Sequence, residues 1–247
     1  NNDKFSSMDT GKEEDVETIS IDLSLFQNYY VTGSLALAAL ILILIPILRS
    51  QNKHRNYDKD WFWEKRYQQD GDEVLEWYGG FENLKTFVLE HFRQTEDLSA
   101  LSKSNIRILE VGCGTSSLCA DLQEEGFKSI TGMDFSYIAI DKQRKRYKGS
   151  GITFIDANLL TFHSTWKAMS LKPFHLVVDK ATLDAIWYNK TDESKRNMLA
   201  CLKQIYQVLY ENGIYIVVSL NSPELWESTL QEQHHKFKFK IASWEKT

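Results

Sequence analysis

The sequence is poor in cysteine and in proline and has no excess of positive charge, and each shortage argues against a class of function. Three cysteines occur in 247 residues, Cys113, Cys119 and Cys201, with no CxxC spacing and no companion histidine cluster. Neither a disulfide framework nor a zinc site follows from that pattern, so no metal is expected and a reducing compartment is the better fit. Three prolines stand against seven tryptophans, which speaks for ordered structure rather than linker. The net charge of −5 lacks the basic footprint of phosphate-backbone binding, so no nucleic acid partner is expected. What remains is a length that holds one sizeable domain plus an appendage, and a 43% hydrophobic content that suits a packed core.

The polarity is unevenly distributed. Residues 1–28 carry Asp3, Asp9, Glu13, Glu14, Asp15, Glu17 and Asp22 against Lys4 and Lys12, which predicts an acidic disordered tail. Tyr29 to Leu48 then runs twenty residues without a charge. That length matches the roughly 20 residues a helix needs to cross a bilayer, and the run lacks the polar face of a helix on a core. The acidic leader disfavours a cleavable signal and a mitochondrial transit peptide. Arg49, Lys53, Arg55 and Lys59 follow in a basic juxtamembrane segment, 49–59. Positive charge stays on the cytosolic side. The expectation is a single-pass membrane protein, of the endoplasmic reticulum, with a catalytic domain over 60–247 facing the cytosol.

From Asn56 the composition turns globular and the periodicity alternates. Strands are predicted over Ile106–Val111, Ser129–Met133, Ile152–Ile155, Phe174–Val178, Ile214–Ser219 and Lys236–Trp244. Helices are predicted over Ser116–Glu125, Tyr137–Tyr147, Glu193–Tyr210 and Ser222–Gln233. Alternating strands and helices make an α/β fold, a doubly wound, mostly parallel sheet with helices on both faces, here preceded by a single transmembrane helix.

The chemistry collects at the predicted strand ends. Glu110-Val-Gly112-Cys-Gly114 breaks the first strand with two glycines, but serines occupy 116 and 117 where a dinucleotide fingerprint needs a third glycine. A carboxylate just before the glycines disfavours an anionic ligand and suits a cationic one. An adenosine cofactor with a positive centre and no phosphate is S-adenosylmethionine. Asp134, about twenty residues on, is placed for the ribose hydroxyls, its rival role being a helix cap. Phe135 offers a face for adenine. Asp156 is placed for the adenine amino group, or is a simple turn aspartate, and Ala157 presents its amide. After the fourth strand, Asp179 and Lys180 are either a solvated ion pair or functional. Asp179 is the candidate for steering an incoming amine.

Several blocks together resemble the methyltransferase-like lysine methyltransferases, a family of class I S-adenosylmethionine-dependent enzymes. They are Phe62-Trp-Glu-Lys-Arg-Tyr-Gln68, Glu76-Trp-Tyr-Gly79, Ile108–Gly114 and Asp179–Ala185, and the likeness runs from about Asp60 to Trp244. The resemblance implies that Trp63, Tyr67 and Trp77 close over the cofactor, where spacing alone reads them as a core stripe. It also implies cofactor contacts from Gly112, Gly114, Asp134, Phe135, Asp156, Ala157 and Lys180, and a lysine of a protein such as elongation factor 1-alpha as substrate. Ala181 stands where the family has glycine, and the sequence ends one strand short of the family's sheet. The alternatives are a small-molecule or lipid methyltransferase, made plausible by the membrane span, and a non-catalytic cofactor-binding scaffold.

Overall fold

A computed structural model describes residues 37–44, 56–94, 96–231 and 237–244. The strands are β1 (Leu37–Leu44), β2 (Arg107–Val111), β3 (Ser129–Asp134), β4 (Thr153–Asp156), β5 (Phe174–Lys180), β6 (Leu209–Ser219) and β7 (Phe237–Trp244). The helices are α1 (Asp60–Gln69), α2 (Glu82–Gln94), α3 (Glu96–Ser99), α4 (Leu118–Glu124), α5 (Tyr137–Arg146), α6 (Phe162–Ala168), α7 (Thr182–Ile186), α8 (Asp192–Val208) and α9 (Pro223–Gln231). They form one sheet of order β4-β3-β2-β5-β6-β1-β7, and every described strand pair is parallel.

The five strands from β4 to β6 form the expected doubly wound sheet, and their side chains sort by the period of two. Leu109, Val111, Val177 and Val217 face a core built with Met198, Leu202 and Ile205 of α8. Ile108, Leu176, Val178 and Val218 face the opposite core, with Leu84 of α2, Leu122 of α4 and Ile140 of α5. A sheet covered on both sides needs apolar residues at every position, hence the near-continuous aliphatic runs. Reversal of strand order between β2 and β5 opens a crevice at the carboxyl ends, where such sheets bind ligands.

The N-terminal expectation requires correction. Leu37–Leu44, inside the run expected to be a membrane helix, is strand β1, parallel to β6 and β7. Among the described residues no helix is long and apolar enough to cross a membrane. An aliphatic run without polar alternation satisfies a strand inside a parallel sheet as well as a lipid-facing helix, so periodicity alone does not separate them. The rest of the span, the acidic tail and most of the basic segment lie outside the described residues.

Candidate cofactor and active site

The glycine turn after β2 is shaped by what crowds it. Gly112 has φ +60° and Gly114 φ +48°, both in the left-handed region that glycine adopts without strain. A Cβ on Gly112 would overlap Thr182, whose hydroxyl donates to the Val111 carbonyl at 2.9 Å. A Cβ on Gly114 would stand 2.5 Å from the Tyr67 hydroxyl. The two glycines therefore let α7 and α1 close onto the end of β2.

Around this turn lies a cavity open to solvent on one side. Gly112, Gly114, Asp134, Phe135, Ala157, Lys180, Trp63, Tyr67 and Trp77 all line it, drawn from six separate stretches of chain. Asp134 is buried at the end of β3 and accepts from the Gly114 amide at 2.9 Å and the Ser136 amide at 2.8 Å. Burial raises its carboxyl to about 6, against the pull of those two amides. Glu110, also buried, accepts from the Cys119 thiol at 3.0 Å, and burial lifts it to about 7 although the Lys180 ammonium opposes the shift. The helix-cap rival for Asp134 is taken by Ser136, whose hydroxyl accepts from the Ala139 amide at 3.2 Å.

Other expected residues are placed differently. Asp156 is exposed at the tip of β4 and does not line the cavity, although its neighbours Ala157 and Asn158 do. The Ala157 amide donates to the Asp134 carbonyl at 2.9 Å, so it extends the sheet rather than offering itself to a ligand. Asp179 is fully buried and off the cavity surface. It accepts from the Thr182 amide at 2.8 Å, from the Leu183 amide at 3.3 Å and from the Tyr215 hydroxyl at 3.1 Å. Burial, followed by the nearby Asp184 charge, raises it to about 7. It anchors the start of α7. Lys180 pairs with Glu76 rather than with Asp179. Ala181 takes φ +73° at the start of α7, a left-handed turn that glycine would adopt without strain.

Glu76 is the residue whose role the sequence left unread. One carboxylate oxygen accepts from the Ser117 amide at 2.6 Å and from the Ser117 hydroxyl at 3.1 Å, at the start of α4, while the other holds Lys180. A helix N-terminus after a glycine turn is where a dinucleotide lays its pyrophosphate. Here the protein's own carboxylate fills that place. The same segment is tied down by the Tyr78 hydroxyl, which donates to Asp184 at 3.0 Å. Asp184 in turn accepts from Ser219, from the Leu220 amide and from Asn221.

The cavity thus suits an adenosine ligand that carries a positive charge and no phosphate. Four carboxylates line it, from Asp58, Asp60, Glu110 and Asp134, of which Asp58 is paired with Lys59, against one lining cation, Lys180, which Glu76 neutralises. Trp63 and Trp77 pack edge to face at 5.5 Å, and Trp63 stacks with Tyr67 at 6.0 Å, giving one wall a continuous aromatic surface. Among the described residues no group of His, Cys, Asp and Glu is arranged to hold a metal ion.

Comparison with known proteins agrees with this geometry. A family model described as a methyltransferase domain matches residues 102–246, more than half of the chain. The chain is 32% identical over 173 residues to methyltransferase srdJ of Neurospora crassa, covering 68% of each. It is 30% identical over 159 residues to the eEF1A lysine and N-terminal methyltransferase of Mus musculus, 64% of this chain and 21% of that one. The Homo sapiens protein of the same name is 28% identical over 159 residues, again 64% of this chain and 21% of that one. The chain spans about a fifth of the length of these eEF1A-directed relatives. On the matched domain, the doubly wound sheet and the acid-lined glycine turn, this chain belongs to the class I S-adenosylmethionine-dependent methyltransferases.

Proposed function

We propose that this chain transfers methyl groups from S-adenosylmethionine to an amine of a protein, the Nε of a lysine. The observation that carries the reading is the cavity's charge: four carboxylates and one neutralised lysine favour a cationic donor and a cationic acceptor together. Relatives named as eEF1A lysine and N-terminal methyltransferases support a protein amine as acceptor. When bound, S-adenosylmethionine supplies an electrophilic methyl on a positive sulfur. The chain's own contribution is placement and charge. Gly112 and Gly114 line the ligand's place and let α7 and α1 close around it, Glu110 and Asp134 favour its positive charge and ribose, and Trp63, Tyr67 and Trp77 exclude water from one side. Holding donor and acceptor at the right distance and angle supplies most of the acceleration for a displacement of this kind. The acceptor must lose its proton before it attacks; desolvation in a partly dry pocket favours the neutral amine, while the lining carboxylates hold the ammonium and oppose that loss.

The test is to incubate the full chain with heavy-methyl S-adenosylmethionine and purified eEF1A, then map the label by mass spectrometry. Heavy methyl on a lysine Nε is expected. Label at the N-terminal α-amine would move the acceptor, as the relatives' names allow. With a whole extract in place of eEF1A, label found in lipid or small molecules and none in protein would overturn the reading.

A membrane tether with the domain on the cytosolic face, at the endoplasmic reticulum, is the second part of the proposal. It is supported by the twenty uncharged residues from Tyr29 to Leu48 and the basic residues that follow. It requires Leu37–Leu44 to exchange its place in the sheet for the bilayer. Alkaline extraction of membranes from expressing cells separates the two placements: a tethered chain stays in the pellet, and one that keeps β1 in the sheet is released.

A further inference from the structure

A second pocket opens at the other end of the sheet, lined by Leu101, Asn105, Arg107, His175 and Tyr210. Arg107 begins β2, and His175 and Tyr210 are the second residues of β5 and β6. These are the amino ends of parallel strands whose carboxyl ends face the cofactor cavity, so cofactor binding does not account for the pocket. No carboxylate lines it. The Arg107 Nε donates to the Pro173 carbonyl at 2.5 Å, and the guanidinium lies 5.9 Å from the centre of the Tyr210 ring. Among the described residues neither Nη1 nor Nη2 of Arg107 has an acceptor. His175 is buried, and its Nδ1 accepts from the Arg107 amide at 2.9 Å. That bond puts the ring hydrogen on Nε2. Burial, followed by the Arg107 charge, lowers the imidazole to about 4, which keeps it neutral at pH 7. Nε2 has no acceptor among the described residues and is not sealed from solvent, so it opens on the pocket. Tyr210 packs edge to face on His175 at 4.9 Å and buttresses both groups. Capping the first amide of β2 explains the Nδ1 of His175 and leaves its Nε2–H and the guanidinium end unused.

We infer that the Arg107–His175 pocket is an oxyanion site, which takes the phosphate or carboxylate group of a ligand other than S-adenosylmethionine. The Nη1 and Nη2 edge of a guanidinium presents two N–H donors that match two oxygens of such a group. The Nε2–H of His175 supplies a further donor on the same pocket. A solvated surface arginine needs none of the restraints found here. The Pro173 carbonyl and the Tyr210 ring hold the guanidinium, and the Arg107 amide holds the imidazole. Groups fixed in advance lose little freedom when a ligand arrives, so a small anion can be bound by few contacts. The site lies away from the methyl-transfer cavity, and the inference stands whether or not the acceptor is a lysine.

The test titrates the isotope-labelled full chain at pH 8 with inorganic phosphate and, separately, with acetate. Chloride keeps the ionic strength constant, and NMR follows the amide of residue 107 and the His175 ring nitrogens. A saturable shift with at least one of the two oxyanions is expected. Saturation by phosphate alone assigns a phosphate-bearing ligand, and saturation by acetate alone a carboxylate. Arg107→Gln is expected to weaken the binding by about tenfold or more, the usual loss with a charged donor. Arg107→Lys keeps the charge without the paired donors and is expected to fall between the two. His175→Asn keeps an oxygen for the Arg107 amide while removing the Nε2–H, and is expected to weaken binding by about tenfold. S-adenosylmethionine affinity should stay within about twofold in these variants, because the two sites share no side chain. No saturable shift with either oxyanion overturns the inference, as does saturation that Arg107→Gln leaves unchanged. If Arg107→Gln does not fold, His175→Asn decides: weakened binding supports the site and unchanged binding overturns it.

Discussion

Glu110 gives the sharpest prediction, because its burial pulls stability and cofactor binding in opposite directions. Without ligand, its carboxyl is lifted from 4.5 to about 7 by burial. The folded chain therefore holds this proton at pH values where the unfolded chain has released it. Stability from this group is fully present below about pH 4.5 and is lost as pH rises to about 7. The gap amounts to about 3 kcal/mol at pH 8, at about 1.4 kcal/mol per pH unit. Glu110→Gln keeps the shape and an oxygen for the Cys119 thiol while removing the charge. The ligand-free variant should be more stable than wild type at pH 8, by up to about 3 kcal/mol, with little difference at pH 4.5. For a domain of this size that is a melting temperature higher by roughly 6–12 °C at pH 8. Asp134 and Asp179 remain in the variant, so its melting curve still falls with pH, less steeply. S-adenosylmethionine should reverse the order, since a sulfonium beside Glu110 favours the ionised form. Differential scanning fluorimetry from pH 4.5 to 8, with and without cofactor, reads all four curves. Parallel ligand-free curves for wild type and variant would refute the argument.

Two further substitutions test the placement of the fourth strand tip. Ala181 holds φ +73°, where a Cβ is strained by about 1–2 kcal/mol, so Ala181→Gly should stabilise the chain by about 1 kcal/mol in urea unfolding. No gain would mean that the left-handed turn is not adopted. Asp179→Asn replaces one of the two acceptor oxygens that serve two amides and a tyrosine hydroxyl with an NH2 donor and should destabilise the fold by about 1–3 kcal/mol. If turnover falls to background with unchanged melting temperature, Asp179 has the amine-steering role that the sequence suggested and not the anchoring role of the structure.

Much of the cofactor end was legible in the sequence because strand ends and glycines carry local signals. Glu110, Gly112, Gly114 and Asp134 lie within one strand–helix–strand unit, and the spacing alone brings them together. Asp179 was misdirected by a single step of the pleat. It shares a face with Val177, toward α8 and Tyr215, whereas Lys180 points to the opposite side, where Glu76 meets it. Glu76 was not readable from local pattern, because its partners Ser117 and Lys180 are 41 and 104 residues away in sequence. Only the packing of the segment after α1 across the sheet edge gives it a role. Leu37–Leu44 admits two placements for a different reason. A run of aliphatic residues states that its surroundings are apolar and leaves open whether lipid or sheet provides them.

The central claim is that the acid-lined cavity takes a positively charged, phosphate-free adenosine cofactor. The most direct measurement is calorimetric titration of the full chain at pH 8 with S-adenosylmethionine and, separately, with NAD. The account predicts saturable one-to-one binding of S-adenosylmethionine and no binding of NAD, whose pyrophosphate would have to displace Glu76 from the start of α4. Binding of NAD, or no binding of S-adenosylmethionine, would contradict it.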